Sequence, residues 1–244
     1  MKTPPHICVV IPVYNHGLTV GQVARESRRA FPAIVVNDGS TDQTAAVLAQ
    51  ESGLAVITLP ENRGKAAALK AGFAEAEALG FTHAITIDAD GQHPAAALEQ
   101  FAASCRNQPD ALVIGVRDLK AAGAPLVRRF SNGLSTLWFR FETGVRLADT
   151  QCGYRVYPLA AVRDLRVKSE RYAFELEVMV KAVWAGMALV SQPVQVDYAA
   201  ATSQLSHFRL WRDFVGIVAV HSRLCAQAFF LPATGRWSGR SAGR

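Results

Sequence analysis

Ala84-Ile85-Thr86-Ile87-Asp88-Ala89-Asp90-Gly91-Gln92-His93-Pro94 decides how this chain is read. A β-rich apolar run stops on two carboxylates that flank one small residue. Strand-end carboxylates this close repel and resist burial unless a cation compensates them. Mg²⁺ or Mn²⁺ takes oxygen ligands and keeps its link to substrate phosphates. The turn is therefore a candidate cation and diphosphate anchor. Its bland alternative is a solvated turn whose aspartates cap the next helix.

The same pattern precedes and follows it. Ile7 to Val13 is a continuous apolar run ended by Tyr14-Asn15-His16-Gly17, and reads as a fully buried strand. Thr19 to Ala30 reads as a helix, and Ala33 to Val36 as a strand closing on Asn37-Asp38-Gly39-Ser40-Thr41-Asp42. Ser40 or Thr41 is expected to cap a helix running through Gln50. Leu54 to Leu59 is a third strand, and Asn62-Arg63-Gly64-Lys65 opens an alanine-rich helix to Leu79. After the strand Ala84 to Ile87, Pro94 stands at the first helical position of a helix to Cys105, and Ala111 to Val116 is a fifth strand. Strands alternating with helices imply a largely parallel α/β sheet, whose ligands gather at the carboxyl ends of the strands. Tyr14, Asp38, Asp88 and Arg117 all fall there.

The second half is less regular. Leu126, Val127, Phe130, Leu134, Leu137, Trp138 and Phe141 recur at helical spacing, with Arg128, Arg129 and Arg140 off that stripe. Asp149 to Tyr157 reads as loop and strand, Phe174 to Trp184 as a helix, and Ala188 to Tyr198 as a strand interrupted at Pro193. Phe208 to Leu231 reads as a last long helix, and the Gly-, Ser- and Arg-rich stretch from Pro232 as disordered.

Composition narrows the function classes. A chain of 244 residues fits one large domain or one domain with an appendage. The formal charge is +6, and residues 199–244 hold six arginines against one acid, Asp213. A basic end suggests an anionic partner, either nucleic acid or a lipid surface, and a near-neutral body argues against an extended nucleic-acid face. The four cysteines are widely spaced and form no CxxC pair, so they do not read as a zinc site or disulfide framework, and a reducing, cytoplasmic compartment is the default. No run of 18 uncharged apolar residues exists, so a spanning helix is not expected.

Two further motifs have functional readings beside bland ones. Asp38 can hydrogen-bond the base or ribose of a nucleotide, or simply make a turn. The amides of Asn62-Arg63-Gly64-Lys65 and the Lys65 ammonium can approach phosphates at a helix N-terminus, or remain solvated.

Taken in order, Pro12-Val13-Tyr14-Asn15, Val36-Asn37-Asp38-Gly39-Ser40-Thr41-Asp42-Gln43-Thr44, Asn62-Arg63-Gly64-Lys65 and Asp88-Ala89-Asp90-Gly91-Gln92-His93-Pro94 resemble glycosyltransferase family 2. The likeness is greatest to the dolichyl-phosphate mannosyltransferase and polyprenyl-phosphate glycosyltransferase branch. Gly115-Val116-Arg117, Asp149-Thr150-Gln151-Cys152-Gly153-Tyr154-Arg155 and Tyr172-Ala173-Phe174-Glu175-Leu176-Glu177 extend it over residues 7–198. The resemblance implies a GT-A (Rossmann-like) fold: a mostly parallel mixed sheet flanked by helices, over residues 1–198. It also implies a nucleotide-diphosphate sugar donor, a divalent cation (Mg²⁺ or Mn²⁺) and inversion at the anomeric carbon.

Carried over position by position, Pro12, Tyr14, Val36 and Asp38 would line the nucleoside pocket, and Lys65, Asp88 and Ala89 would approach the nucleotide. Asp90, with Gln92, would hold the metal. Arg117 would contact the donor diphosphate or the acceptor. Asp149 is the candidate reactive carboxylate: a general base for a hydroxyl acceptor, or an orienting group for a phosphate acceptor that needs no base. Arg155 and Glu175 are acceptor-binding candidates, against alternatives of sheet-edge cover for Arg155 and, for Glu175 and Glu177, a solvated helix face plus one structural salt bridge. His16 and Asn37 stand where the family carries acids, which leaves uridine and guanosine both open. His207 or Arg209 takes the place of a late basic motif that closes on the diphosphate.

Phe208, Trp211, Phe214, Val215, Val218 and Leu224 can share an apolar face, edged by His207, Arg209, Arg212 and Arg223. Residues 199–231 are thus expected to form a basic amphipathic helical segment. It either lies in a bilayer interface or packs on the core, and residues 232–244 form a disordered tail. The expectation is a metal-dependent inverting hexosyltransferase, peripheral on the inner face of the cell membrane. Its acceptor is lipid-type: a polyprenyl phosphate, or a hydroxyl of a membrane-associated lipid or pigment. No nucleic acid is expected as a partner. The alternatives are transfer to a soluble small molecule, and a non-catalytic nucleotide-sugar-binding partner of a membrane assembly.

Overall fold

Why Ile7 to Val13 is apolar throughout becomes clear from its position: strand β1 (Ile7–Val13) lies inside the sheet and every residue in it is buried. The computed structural model describes residues 4–171, 173–196 and 210–230, with side chains described over 218–228 of the last stretch. The chain runs β1, α1 (Val20–Ala30), β2 (Ala33–Asn37), α2 (Thr44–Ala49), β3 (Ala55–Thr58), α3 (Lys65–Ala78), β4 (His83–Thr86), α4 (Leu98–Asn107) and β5 (Leu112–Val116). It continues with α5 (Leu126–Thr143), β6 (Arg155–Pro158), α6 (Leu159–Asp164), α7 (Ala173–Trp184), β7 (Leu189–Pro193) and α8 (Leu210–Phe230).

The strands form one seven-stranded sheet in the order β3-β2-β1-β4-β6-β5-β7. β6 alone runs antiparallel, between β4 and β5; the other paired strands are parallel. This is the mixed, mostly parallel α/β sheet expected from the sequence.

Side-chain alternation divides β1 between two apolar layers. Cys8 and Val10 pack with Ala68 and Leu69 of α3 and Val178 of α7, whereas Val9, Ile11 and Val13 pack with Val20 of α1 and Phe101 of α4. Gly72 lets α3 lie close to the sheet, since a Cβ there would run into the Val10 side chain. Because β1, β2, β4 and β5 share one direction, their carboxyl ends open on one edge of the sheet, and β6 starts from that same edge.

Some local expectations are corrected. α2 begins at Thr44, where Asp42 Oδ1 accepts from Thr44 N at 2.9 Å. Ser40 and Thr41 do not cap it: Ser40 Oγ accepts from Asn15 N at 2.9 Å, and Thr41 N donates to Asn15 Oδ1 at 2.8 Å. Both are drawn into stitching the β1 loop to the β2 loop. Pro94 precedes a short 3₁₀ turn, Ala95–Ala97, and α4 starts only at Leu98.

α5 has Asn132, Ser135, Phe139, Glu142 and Thr143 on its inward face, and of its apolar stripe Leu134 and Trp138 are half-buried while the rest is exposed. Leu126, Val127, Phe130 and Phe141 are each more than 70% exposed.

α8 packs against α5 and α7. Leu224 is fully buried. His221 Nδ1 meets the buried Glu142 Oε1 at 2.8 Å, and Arg223 Nη2 donates to Glu177 Oε2 at 2.7 Å. Between residues 218 and 228 the packed alternative therefore holds. Trp211, Arg212, Phe214 and Val215 have no described side chains, and His207, Phe208 and Arg209 lie outside the described residues. No helix of the described residues is long and apolar enough to cross a membrane.

Glu177 is a hub, not a solvated residue. It is 2% exposed and gathers Ser169 N at 2.8 Å, the Ser169 hydroxyl, Lys181 Nζ at 2.8 Å and Arg223. Burial pushes its carboxyl up, but the bonds from Lys181 and Ser169 outweigh burial and bring it from 4.5 to about 2. A depressed folded-state value stabilises above the unfolded pKa, and that contribution drains as pH falls towards 2. Glu177→Gln should therefore cost about 3 kcal/mol at pH 7, since each tenfold change in proton affinity is worth roughly 1.4 kcal/mol. In urea titrations the gap from the parent should close between pH 5 and 2. Equal stability of the two proteins at pH 7 would remove Glu177 from this role.

Candidate active site

The carboxyl edge collects its polar groups from loops that the strands aim at one place. Asp88 follows β4 and Lys65 opens α3. Lys65 Nζ donates to Asp88 Oδ1 at 2.6 Å and lies 3.2 Å from Glu175 Oε2, at the start of α7. Lys65 is thus shared between two carboxylates. Burial pushes the Asp88 carboxyl up, but the Lys65 ammonium beside it prevails and holds it below the ordinary carboxylate range.

Gly153 forms the floor of this pair. Any Cβ there would collide with Asp88 Oδ2 and Lys65 Nζ. Thr86 Oγ1, at the end of β4, donates to Gly153 O at 2.6 Å and fixes that floor to the sheet. Gly153 stood in a motif without an assigned role, because a glycine carries no chemistry and its contacts are set by the fold.

Asp90 has the opposite balance. Burial, and then the Asp88 charge, push its carboxyl up, while Gln92 N donates to its Oδ1 at 3.0 Å. A carboxylate raised by its neighbour is a position where a cation gives relief. Among the described residues, no cluster of three or more His, Cys, Asp or Glu could hold a metal by itself. The donor set fits a hard cation that takes one or two carboxylates and completes its shell with water and substrate phosphates.

On the nucleoside side, Pro12, Val36 and Ala89 are buried, and the Val36 side chain lies in the core. Those three contribute backbone and shape to any pocket here. Tyr14 is half-buried at the end of β1.

Asp38 is 2% exposed and already engaged. It accepts from Arg63 N at 2.8 Å, Gly64 N at 2.7 Å and Asn62 Nδ2 at 3.1 Å. The backbone amides of residues 63 and 64 thus meet Asp38, and Asp38 braces that turn. Gly39 makes the brace possible: it has φ +64°, and a Cβ would strike the Glu61 backbone. Arg171, not anticipated from the sequence, also lies against this turn. Its backbone has φ 51°, and its side chain limits space at Gly64.

Asp149 is fully buried and bound bidentately to Arg117. Arg117 Nε donates to Oδ2 at 2.7 Å and Nη2 to Oδ1 at 3.1 Å, while Gln151 N adds a bond to Oδ1 at 2.9 Å. Both carboxylate oxygens are occupied, a geometry for aiming a guanidinium rather than for taking a proton.

Arg155 is corrected outright. It is 1% exposed, and its guanidinium donates to Cys152 O at 2.7 Å, Glu175 O at 2.8 Å and Thr150 O at 2.9 Å. It ties the 149–155 loop to α7 and does not reach an acceptor. Glu175 is buried rather than on a solvated face, and it touches the site through Lys65. His207 lies outside the described residues.

Beyond Arg117 lies a cavity of about 1000 Å³, between the entry to α4, the outer part of α5 and the end of β7. Arg117, Lys120, Arg129, Asn132, Thr136 and Gln195 are among its walls. Asp118, the acid in that lining, accepts from Lys120 N at 3.1 Å and Ala121 N at 2.9 Å. The edge thus has two compartments, an acidic one at Asp88 and Asp90 and a basic one beyond Arg117.

The family model for glycosyl transferase family 2 matches residues 8–164. The undecaprenyl-phosphate 4-deoxy-4-formamido-L-arabinose transferase of Pseudomonas paraeruginosa is 32% identical over 180 residues, covering 69% of this chain; the chain spans about half (51%) of that protein's length. The polyprenol monophosphomannose synthase of Mycolicibacterium smegmatis is 29% identical over 201 residues, covering 76% of this chain and 75% of its own. Among solved structures, glucosyl-3-phosphoglycerate synthase from Mycobacterium tuberculosis, in complex with Mn²⁺ and uridine-diphosphate-glucose, superposes with a TM-score of 0.63. It is 19% identical, with 91% of this chain and 79% of that one covered, and shares the GT-A fold.

Proposed function

The chain belongs to glycosyl transferase family 2, and from that premise we propose that it transfers a hexose from a nucleotide-diphosphate sugar to a polyprenyl-phosphate acceptor. The nucleoside lies over the carboxyl ends of β1 and β2 beside Tyr14, on the turn that Asp38 braces. The diphosphate lies at Asp88, Asp90 and Lys65. Asp90 and Gln92 are the residues that would hold Mg²⁺ or Mn²⁺, whose chemistry there is to neutralise charge on the leaving diphosphate.

The acceptor phosphate enters the basic cavity at Arg117, Lys120 and Arg129. One of its oxygens attacks the anomeric carbon from the face opposite the diphosphate. The glycosidic C–O bond breaks, the nucleoside diphosphate leaves with that electron pair, and the anomeric configuration inverts. A phosphate is already anionic, so no proton need be removed from the nucleophile. The observation that carries this reading is the Asp149–Arg117 pair: the expected base has both oxygens engaged, and its partner lines a basic cavity. The names of the two sequence relatives, both acting on a polyprenyl carrier, support the same acceptor class. A cytoplasmic enzyme, peripheral on the inner face of the cell membrane, meets such a carrier from its phosphate end.

The test pairs each UDP- and GDP-sugar with polyprenyl phosphate or with free polyprenol in detergent, with Mn²⁺ or Mg²⁺. The expected product is a glycosyl phosphodiester formed from the phosphate alone. Transfer to the free alcohol, or only to water-soluble acceptors, would overturn the reading.

A further inference from the structure

α5 presents an inverted amphipathic helix. Asn132, Ser135, Glu142 and Thr143 are turned to the protein, while Leu126, Phe130, Leu137 and Phe141 stand out at 75%, 75%, 48% and 73% exposure. At roughly 3.6 residues per turn these four fall on one narrow outward arc, and exposed Val127 widens it. Unlike scattered apolar surface residues, this is a contiguous patch on one face. Arg129 and Arg140, both exposed, lie together along one side of the arc, and the sole acid of α5, Glu142, is buried against His221. The basic flank also lies on the cavity side, since Arg129 and Gly133 line the cavity and the apolar arc does not.

We infer that this outward face of α5 is the membrane-docking surface, and that its occupant is an anionic phospholipid layer. Its apolar arc enters the acyl boundary, and Arg129 and Arg140 meet lipid phosphates. Charge selects this occupant. A second copy packed antiparallel about a two-fold axis would bring the same arginines against each other. The stretch 232–244 carries Arg236, Arg240 and Arg244 without an acid, so it does not complement the face either. Docked in this way, the cavity mouth sits at headgroup depth, where a lipid-linked phosphate is found. This deepens the acceptor reading, but the binding itself does not depend on it. It also moves the membrane contact from the described part of α8, whose cation Arg223 is bonded to Glu177, to α5.

The experiment is co-sedimentation of the full chain with phosphatidylglycerol/phosphatidylethanolamine vesicles and with phosphatidylcholine vesicles. The parent is expected to bind the anionic vesicles, more weakly as salt rises, and the neutral ones at least tenfold less. Phe130→Asp with Phe141→Asp should lower anionic-vesicle binding at least tenfold with an unchanged thermal melt. Phe130→Ser with Phe141→Ser serves the same purpose if the charged pair misfolds. Val218→Glu, on exposed α8 surface, should bind as the parent does. Parent-like binding by the α5 variants, or loss of binding in Val218→Glu alone, would overturn the inference. So would a dimer in sedimentation velocity that the α5 variants disperse. Vesicle binding lost with α5, in a protein that never glycosylates polyprenyl phosphate, would uphold docking and refute only the acceptor reading.

Discussion

Asp90→Ala is expected to reduce metal-dependent turnover about 10³-fold or more, with the fold intact. Asp90 lies outside the core, so removing its carboxylate leaves no buried partner stranded. Its carboxyl is pushed up by burial and by Asp88, which means the pair carries a repulsion that a cation would relieve. Without Asp90, a cation would be left to the substrate phosphates, to the neutral Gln92 and to Asp88, whose Oδ1 is engaged by Lys65 at 2.6 Å. Charge stabilisation of a leaving diphosphate is worth several kcal/mol, and about 1.4 kcal/mol is tenfold in rate. Thermal shift gives a second readout. Donor and Mn²⁺ together should raise the melting temperature of the parent more than donor alone, because ligands that favour the native state stabilise it by mass action. The variant should lose that increment and keep the shift from donor alone. Near-parent turnover with unchanged Mn²⁺ dependence would strike Asp90 from the metal role.

The contrast between Asp88 and Asp90 could not be read from their spacing. What the sequence does encode is where strands end. Apolar β-rich runs stop on Tyr14, Asp38, Asp88 and Arg117 because backbone beyond the sheet leaves the core, and a parallel sheet brings those four ends to one edge. The roles assigned there depend on neighbours distant in the chain. Asp38 has the residue type of a nucleoside ligand, yet the amides of residues 63 and 64 engage both its oxygens. Arg155 reads as a surface cation because arginines are rarely buried without partners. The fold supplies three carbonyls from residues 150, 152 and 175, and the charge becomes a strut. Periodicity marks the apolar arc of α5 but carries no sign for inside or outside. The polar face of that helix found partners in the chain, with Asn132 bonded to the 148–150 loop, Ser135 to Thr150 and Glu142 to His221. The apolar face was left outward.

Asp149→Asn separates an orienting carboxylate from a base. Bidentate geometry assigns Asp149 to orienting Arg117, so the variant should lose about 10²-fold in kcat/KM for polyprenyl phosphate, the cost expected when a positioning group shifts by an ångström. Donor binding, at the Asp88 side, should remain. Because a buried guanidinium keeps only part of its pairing, stability should also fall, by about 3 kcal/mol. Arg117→Lys, which keeps the charge and forfeits the fork, should give a comparable kinetic loss. The double variant decides the matter. Groups that act as one unit are not additive, so Asp149→Asn with Arg117→Lys should be no worse than the poorer single variant. A general base acts on the nucleophile by itself, so it predicts instead a loss in kcat with acceptor KM intact and losses that multiply in the double variant. That second pattern would return Asp149 to acid–base chemistry and require a hydroxyl acceptor. The first makes the acceptor's own negative charge the nucleophile, with Arg117 holding it in line.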